Sequence, residues 1–72
     1  MVKYQVFLGD FISGHKSELL KEFAEKQDAI NFGISEATEY YEKNEYPKVC
    51  EYSHSIIIMT PTYYYIMIRM VI

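Results

Sequence analysis

The end of the chain, residues 62–72, carries a run of β-branched and aromatic residues that is typical of a packed β-strand. Side chains alternate across a strand, so the run divides into two faces. One face carries Tyr64, Ile66, Ile68, Met70 and Ile72, and the other carries Tyr63, Tyr65, Met67, Arg69 and Val71. A strand with one solvated face is apolar on one side and polar on the other. Because this strand is apolar on both sides, we predict that another element, or another chain, covers its second face.

The start of the chain alternates in the manner of a first strand. Apolar side chains on one face oppose polar ones on the other; the apolar set is Val2, Tyr4, Val6 and Leu8, and the polar set is Lys3 and Gln5. Ser-Gly-His-Lys at positions 13–16 is a turn signal. The pattern predicts a strand that ends before this turn.

Residues 17–24 allow two interpretations. Most of them are good helix formers and Ser17 is a suitable N-cap, so residues 17–44 could form one helix. Such a helix would be about 42 Å long, whereas strands of ten residues reach only about 33 Å. We therefore favour a strand over residues 18–23 that pairs with the first strand, followed by a helix that starts near Glu25 and Lys26.

Residues 28–44 predict the main helix. Its apolar stripe is Ile30, Ile34, Ala37 and Tyr41, flanked by Ala29, Gly33 and Tyr40. A glycine inside a helix costs about 1 kcal/mol relative to alanine, so Gly33 indicates close packing of the helix on a sheet. Phe32 falls outside the stripe, among acidic residues, and is expected to be exposed. Pro47 ends the helix because proline cannot continue it.

Residues 48–59 predict a strand with a weak middle at Ser53 and His54, where a bulge or a tight bend would fit. Thr-Pro-Thr at 60–62 then turns the chain into the last strand. The predicted fold is a single α+β domain over residues 1–72. It has an antiparallel sheet with one principal helix on one face, in the order ββαββ. The order becomes βαββ if residues 17–44 form one helix.

The length of the chain favours an oligomer. A domain of 72 residues buries only about 60% of its unfolded surface, and small scaffolds usually need a disulfide, a metal or oligomerisation. Cys50 is the only cysteine, which excludes an internal disulfide. We therefore predict a homodimer, and place its interface on the second face of the last strand, at Tyr63, Tyr65, Met67 and Val71.

The sequence gives little support for a metal site, a cofactor or catalysis. Cys50 and His54 are four residues apart, about 13 Å on a strand, which is too far to share one ion. No nucleophile and base pair has a local signature, so an enzyme using Cys50 or a histidine is the weakest of the functional classes. We predict no metal, no cofactor and no catalytic residues.

The charge and hydropathy of the chain exclude two kinds of partner and suggest a compartment. A net charge of −3 disfavours nucleic acid, which needs clustered Lys and Arg. The apolar residues 56–72 are fewer than the ~20 that span a membrane, and they include Pro61 and Arg69. The N-terminus lacks a secretory pattern and the single cysteine is typical of the cytosol, so we predict a cytoplasmic protein with no membrane association.

The functional prediction is a small, non-catalytic interaction protein. Acidic residues surround Phe32, and we expect Phe32, Glu36 and Glu39 to bind a host protein. The abundance of residues with A/T-rich codons suggests a low-G+C bacterium or its phage, and a phage or mobile-element accessory that inhibits a host protein fits this composition. The alternative is an oligomer that binds a small ligand, such as a nucleotide, in a tyrosine-lined cleft between subunits. This cleft would use Tyr40, Tyr52 and Arg69.

Overall fold

The computed structural model describes residues 2–12, 18–41 and 47–72. Within them the chain forms five strands and one helix: β1 Lys3–Asp10, β2 Glu18–Phe23, α1 Lys26–Thr38, β3 Val49–Glu51, β4 Ser55–Met59 and β5 Tyr64–Val71. The strands make one sheet in the order β2-β1-β5-β4-β3, and every neighbouring pair is antiparallel. The predicted α+β class, with an antiparallel sheet and one helix, is confirmed.

The last strand, β5, lies at the centre of the sheet. It pairs with all eight residues of β1, from Lys3 opposite Val71 to Asp10 opposite Tyr64. On its other side it pairs with β4. A central strand has its backbone hydrogen bonds satisfied on both sides, which suits a sequence with almost no charge.

Residues 18–23 form a strand, so the hairpin interpretation is confirmed and the single helix over 17–44 is wrong. The β1–β2 register shifts because Leu20 is an extra residue on β2: Val6 pairs with Lys21, and Phe7 pairs with Leu19. This bulge lets Leu20 pack against the core while Leu19 lies on the opposite face of the sheet. The predicted turn at 13–16 lies outside the described residues.

The helix begins at Lys26, as predicted, after an extended Glu25 whose side chain makes no capping bond. It ends at Thr38, earlier than predicted. The amides of Tyr40 and Tyr41 donate to the carbonyls three residues back, and the Tyr41 hydroxyl donates to the carbonyl of Met59 at 2.7 Å. These contacts tighten the chain and fasten it to β4, so Tyr41 leaves the helical path. The rest of the predicted helix, residues 42–44, lies outside the described residues.

Small residues on the helix make its contact with the sheet. Ala29, Gly33 and Ala37 are buried one turn apart and face the isoleucines of β4 and β5. A Cβ atom at Gly33 would lie 2.8 Å from Cδ1 of Ile58 and 3.3 Å from Cγ2 of Ile66. The predicted close approach at Gly33 is therefore confirmed. The buried core consists of Val6, Ala29, Ala37, Ile56, Ile58, Ile66 and Ile68.

The predicted strand over 48–59 is divided into β3 and β4, which pair as a hairpin. Its weak middle, at Ser53 and His54, is the turn, which is closed by a 2.8 Å hydrogen bond from the Tyr52 amide to the Ser55 carbonyl. The turn adds one strand to the predicted order, which becomes ββαβββ. No helix in the described part of the chain is long and apolar enough to cross a membrane.

The turn between β4 and β5 is held by two threonine hydroxyls. Thr60 is 7% exposed, and its hydroxyl donates to the carbonyl of Tyr64 at 2.6 Å while it accepts from the Thr62 amide at 3.2 Å. The two threonine hydroxyls lie 2.8 Å apart, and the Tyr64 amide donates to Thr62 Oγ1 at 3.2 Å. The predicted turn at 60–62 thus positions the first residue of β5.

We expect Thr60→Val to lower the free energy of unfolding by about 1–3 kcal/mol, because it leaves the Tyr64 carbonyl and the Thr62 amide without the Thr60 oxygen. Urea denaturation at a fixed protein concentration measures the change. Thr60→Ser, which retains the hydroxyl, should lose much less. Equal stability of Thr60→Val and the wild type would contradict this role.

We expect Gly33→Leu to lower the free energy of unfolding by about 2–3 kcal/mol, because the new side chain would overlap Ile58 and Ile66. Ser35→Leu is the matched control, since Ser35 lies on the exposed side of the same helix. It should change stability by no more than about 0.5 kcal/mol. A similar effect of both substitutions in thermal or urea unfolding would show that the helix does not approach the sheet so closely.

Candidate functional site

The face of the sheet opposite the helix is the candidate site, and we call it the open face. The helix packs on the face that carries Val6, Ile66 and Ile68. No described element covers the other face, although it presents apolar side chains on every strand. Paired positions place five of these side chains in one line across the sheet: Leu19, Phe7, Met67, Ile57 and Cys50.

We call this line the apolar row. Phe7, Met67, Ile57 and Cys50 are half-buried by their neighbours, and Leu19 on β2 is 47% exposed. The row runs from one edge strand to the other, a width of about 19 Å at about 4.8 Å between strands. A continuous apolar band of this kind marks an interaction surface more often than an ordinary solvated face.

A polar row runs beside the apolar row. It consists of Glu22, Gln5, Arg69 and Ser55, on β2, β1, β5 and β4 respectively. The Gln5 side-chain amide donates to the Glu22 carboxylate at 2.8 Å. Arg69 is exposed and has no ion pair within the described residues. The open face therefore has an apolar centre with a charged border.

Tyr65 extends the apolar surface on the other side of the row. It pairs with Gly9, and its ring lies where a Cβ atom of residue 9 would be, 2.5 Å from Cζ. Only glycine leaves room for the ring there, an arrangement in which an aromatic side chain covers a strand glycine. The Phe11 ring packs on Tyr65 with centroids 4.6 Å apart, and Met59 is the next residue across the sheet.

Three of the four predicted dimer residues lie on the open face. Met67 is the centre of the apolar row, Tyr65 adjoins it, and Val71 lies opposite Lys3 at the far end of the strand. Tyr63 precedes β5, and its ring packs against Tyr64 at 4.6 Å between centroids. The structure thus places Tyr63 outside the row, in an aromatic cluster at the end of the sheet.

This aromatic cluster is closed by Tyr40 from the end of the helix, whose ring centroid lies 5.4 Å from that of Tyr64. The hydrogen bond with Tyr63 raises the pKa of the Tyr64 hydroxyl above its ordinary value, and the negative charge of Asp10 adds to the effect. An ordinary tyrosine hydroxyl, with a pKa of about 10, is already protonated at neutral pH, and this shift favours the protonated form further. The cluster therefore closes the rim of the core at this end of the sheet.

The expectation that Phe32 is exposed is wrong. Its ring packs on Phe23 with centroids 5.4 Å apart, and the Lys21 ammonium lies 5.7 Å from its centroid. Both contacts come from β2, the edge strand that extends beneath this side of the helix. Glu36, one turn later, is half-buried, and Glu39 at the end of the helix is exposed. The helix side is consequently acidic without an exposed aromatic anchor at Phe32.

The three residues predicted to bind a small ligand are not brought together within one chain. Tyr40 adjoins Tyr64 at the start of β5, whereas Tyr52 is in the β3–β4 turn beside Met70, near the end of β5. Six residues of strand separate these ends by about 20 Å. Arg69 points to the open face, away from both tyrosines.

A small cleft does lie at the helix start, lined by Tyr4, Lys26, Glu51, Tyr52, His54 and the core isoleucines of β4 and β5. Its volume is about 110 Å³, well below the roughly 300 Å³ at which pockets begin to enclose drug-sized ligands. Lys26 forms an ion pair with Glu51, and this hydrogen bond raises the pKa of the lysine. The cleft is therefore too small for a nucleotide, and its cation already has a partner.

The residues with catalytic or metal-binding chemistry are dispersed. Cys50 faces the open side from edge strand β3, whereas His54 lines the cleft on the helix side. His15 lies outside the described residues. Among the residues that the structure describes, no three His, Cys, Asp or Glu side chains come together in a way that could hold a metal ion.

Sequence reasoning missed four members of the apolar row: Phe7, Leu19, Ile57 and Cys50. The available signal for Phe7 was its position: it is an aromatic residue on the face of β1 that otherwise carries the polar Lys3 and Gln5. Leu19 gave no signal, because the bulge at Leu20 decides which face it occupies. The rest of the row depends on strand order, which local patterns do not contain.

Comparison with known protein families, with curated proteins and with solved structures finds no match to this chain.

Proposed function

We propose that this chain is a non-catalytic interaction protein that forms a homodimer through the open face of its sheet. The apolar row that crosses all five strands supports this proposal more than any other feature. In an isolated chain Phe7, Met67 and Ile57 would be exposed to water, whereas a second sheet packed on this face would bury them. Sheets that pack face to face, about 10 Å apart, interleave side chains of this size.

The dimensions of the open face suit a stable dimer. The sheet is about 24 Å wide and its two eight-residue strands are about 27 Å long; because β2, β3 and β4 are shorter, the face covers about 490 Å² before the relief of the side chains is included. A stable interface takes about 800 Å² of accessible surface from each partner. A chain of 72 residues also buries too little surface alone to gain much stability, so a second copy would supplement its core.

A dimer of this kind leaves both helices facing outward. The helix and its two caps present the exposed carboxylates of Glu25, Asp28 and Glu39 and the half-buried one of Glu36, whereas the one lysine of the helix, Lys26, is paired with Glu51. The acidic side fits a basic surface on a partner protein. On this support we propose that the dimer binds and inhibits a host protein in the bacterial cytoplasm, as a phage or mobile-element accessory.

We expect Met67→Glu to convert the dimer to a monomer, because each copy would bury an unpaired carboxylate at a cost of about 3 kcal/mol or more. Size-exclusion chromatography with light scattering gives the mass, and circular dichroism checks that the variant is folded. Val49→Glu is the matched control: Val49 is 42% exposed and pairs with Ile58, a residue of the helix side. An unchanged dimer of Met67→Glu, or a monomeric wild type, would refute the proposed interface.

We expect Glu36→Lys with Glu39→Lys to abolish capture of a basic partner from a bacterial lysate while the dimer stays intact. Charge reversal on the helix side replaces attraction with repulsion, and it leaves the open face unchanged. Affinity capture with quantitative mass spectrometry compares the variant with the wild type. Glu18→Lys, an exposed charge reversal on edge strand β2 that leaves the helix carboxylates in place, is the control and should capture the same proteins as the wild type. Identical capture by all three proteins would contradict a role for the helix side.

A further inference from the structure

The polar row of the open face indicates how the two copies are oriented. We infer that a two-fold axis runs parallel to the strands, between β1 and β5, and brings Arg69 of each copy onto Gln5 and Glu22 of the other. This inference rests on the proposed homodimer and adds its geometry.

The direction of the axis follows from the separation of polar and apolar rows. An axis parallel to the strands places the apolar row of one copy over the apolar row of the other, and the polar row over the polar row. An axis across the strands would place Arg69 and Gln5 over the line of Tyr65 and Met59. Polar groups buried against apolar ones lose their hydrogen bonds to water without replacement, so the parallel axis is favoured.

The position of the axis follows from strand length. β1 and β5 have eight residues each and are flanked by β2 with six and β4 with five, whereas β3 has only three. The four longer strands are centred between β1 and β5. An axis at this centre places Phe7 opposite Met67 of the second copy and Leu19 opposite Ile57. It covers the apolar row apart from Cys50 at the edge.

The same axis gives the charged side chains complementary partners. Arg69 lies over Gln5 of the second copy, and the amide of Gln5 holds the carboxylate of Glu22 at 2.8 Å. That carboxylate is one strand away, about 4.8 Å, within reach of an arginine side chain. An axis directly over β5 would instead bring the two Arg69 side chains together. Arg69 has no ion pair within the described residues, and the axis between β1 and β5 gives it a carboxylate. An axis directly over β1 would also bring Arg69 to Glu22, but it would leave the apolar residues of β4 uncovered.

A charge exchange tests this geometry. Arg69→Glu and Glu22→Arg should each weaken the dimer at least about tenfold, because like charges then face each other twice per dimer. The double variant should return to within about threefold of the wild-type dissociation constant, as expected when the two residues are coupled. Analytical ultracentrifugation measures the constants. Glu18→Arg, on the opposite face of β2, is the control and should leave the constant unchanged.

Salt dependence provides a second measurement that needs no reversed charge. Added sodium chloride should weaken the wild-type dimer more than the Arg69→Gln dimer, because only the wild type has the interfacial ion pairs. Three results would overturn the axis. The double variant could dissociate as readily as the single variants, the single variants could have the wild-type dissociation constant, or the wild type and Arg69→Gln could depend equally on salt. If Met67→Glu still dissociates the dimer, the proposed function survives that result. If the wild type itself is monomeric, both proposals fail.

Discussion

The apolar character of β5 on both of its faces is the constraint on which the rest of the structure depends. Ile66 and Ile68 are fully buried beneath the helix, while Tyr65 and Met67 alternate onto the opposite face. Such a strand is favoured by hydrogen-bonded neighbours on both edges and by apolar cover on both sides. The chain provides the neighbours, β1 and β4, and it provides cover for one side in α1. The uncovered side is where we propose that a second chain binds.

The single helix covers one face of β5 by packing its backbone close to the sheet. Ala29, Gly33 and Ala37 bring its backbone close to the isoleucines of β4 and β5, so the core is shallow and closely packed. A helix of thirteen residues is only about 20 Å long, so it covers the middle of the sheet and not its ends. Aromatic residues, with Tyr40 packed on Tyr64, close one end, and the Lys26–Glu51 ion pair ties the helix start to β3 at the other.

The two sides of the sheet thus differ in chemistry, and we propose a different partner for each. The helix side presents carboxylates to solvent and suits a basic protein surface. The open face presents an apolar row bordered by Glu22, Gln5 and Arg69, and it is the proposed dimer surface. A two-fold axis makes every contact twice. In the proposed dimer, an unfavourable charge contact would therefore also occur twice, so the charges of the polar row would strongly favour one orientation over another.

The sequence by itself determined the features that arise between near neighbours. The alternation of β1 and β5, the helix start at Lys26, the close contact at Gly33 and the turn at Thr60 all follow from side-chain spacing and backbone preferences over a few residues. The tertiary structure decided what depends on distant pairing. The order of the strands brought together the apolar row, whose residues come from five separate strands. The placement of β2 under the helix partly buried Phe32. The Leu20 bulge turned Leu19 to the open face, and the same fold kept Tyr40, Tyr52 and Arg69 apart. Local patterns record which face a side chain occupies on its own strand, but only the pairing of strands decides which side chains share a surface.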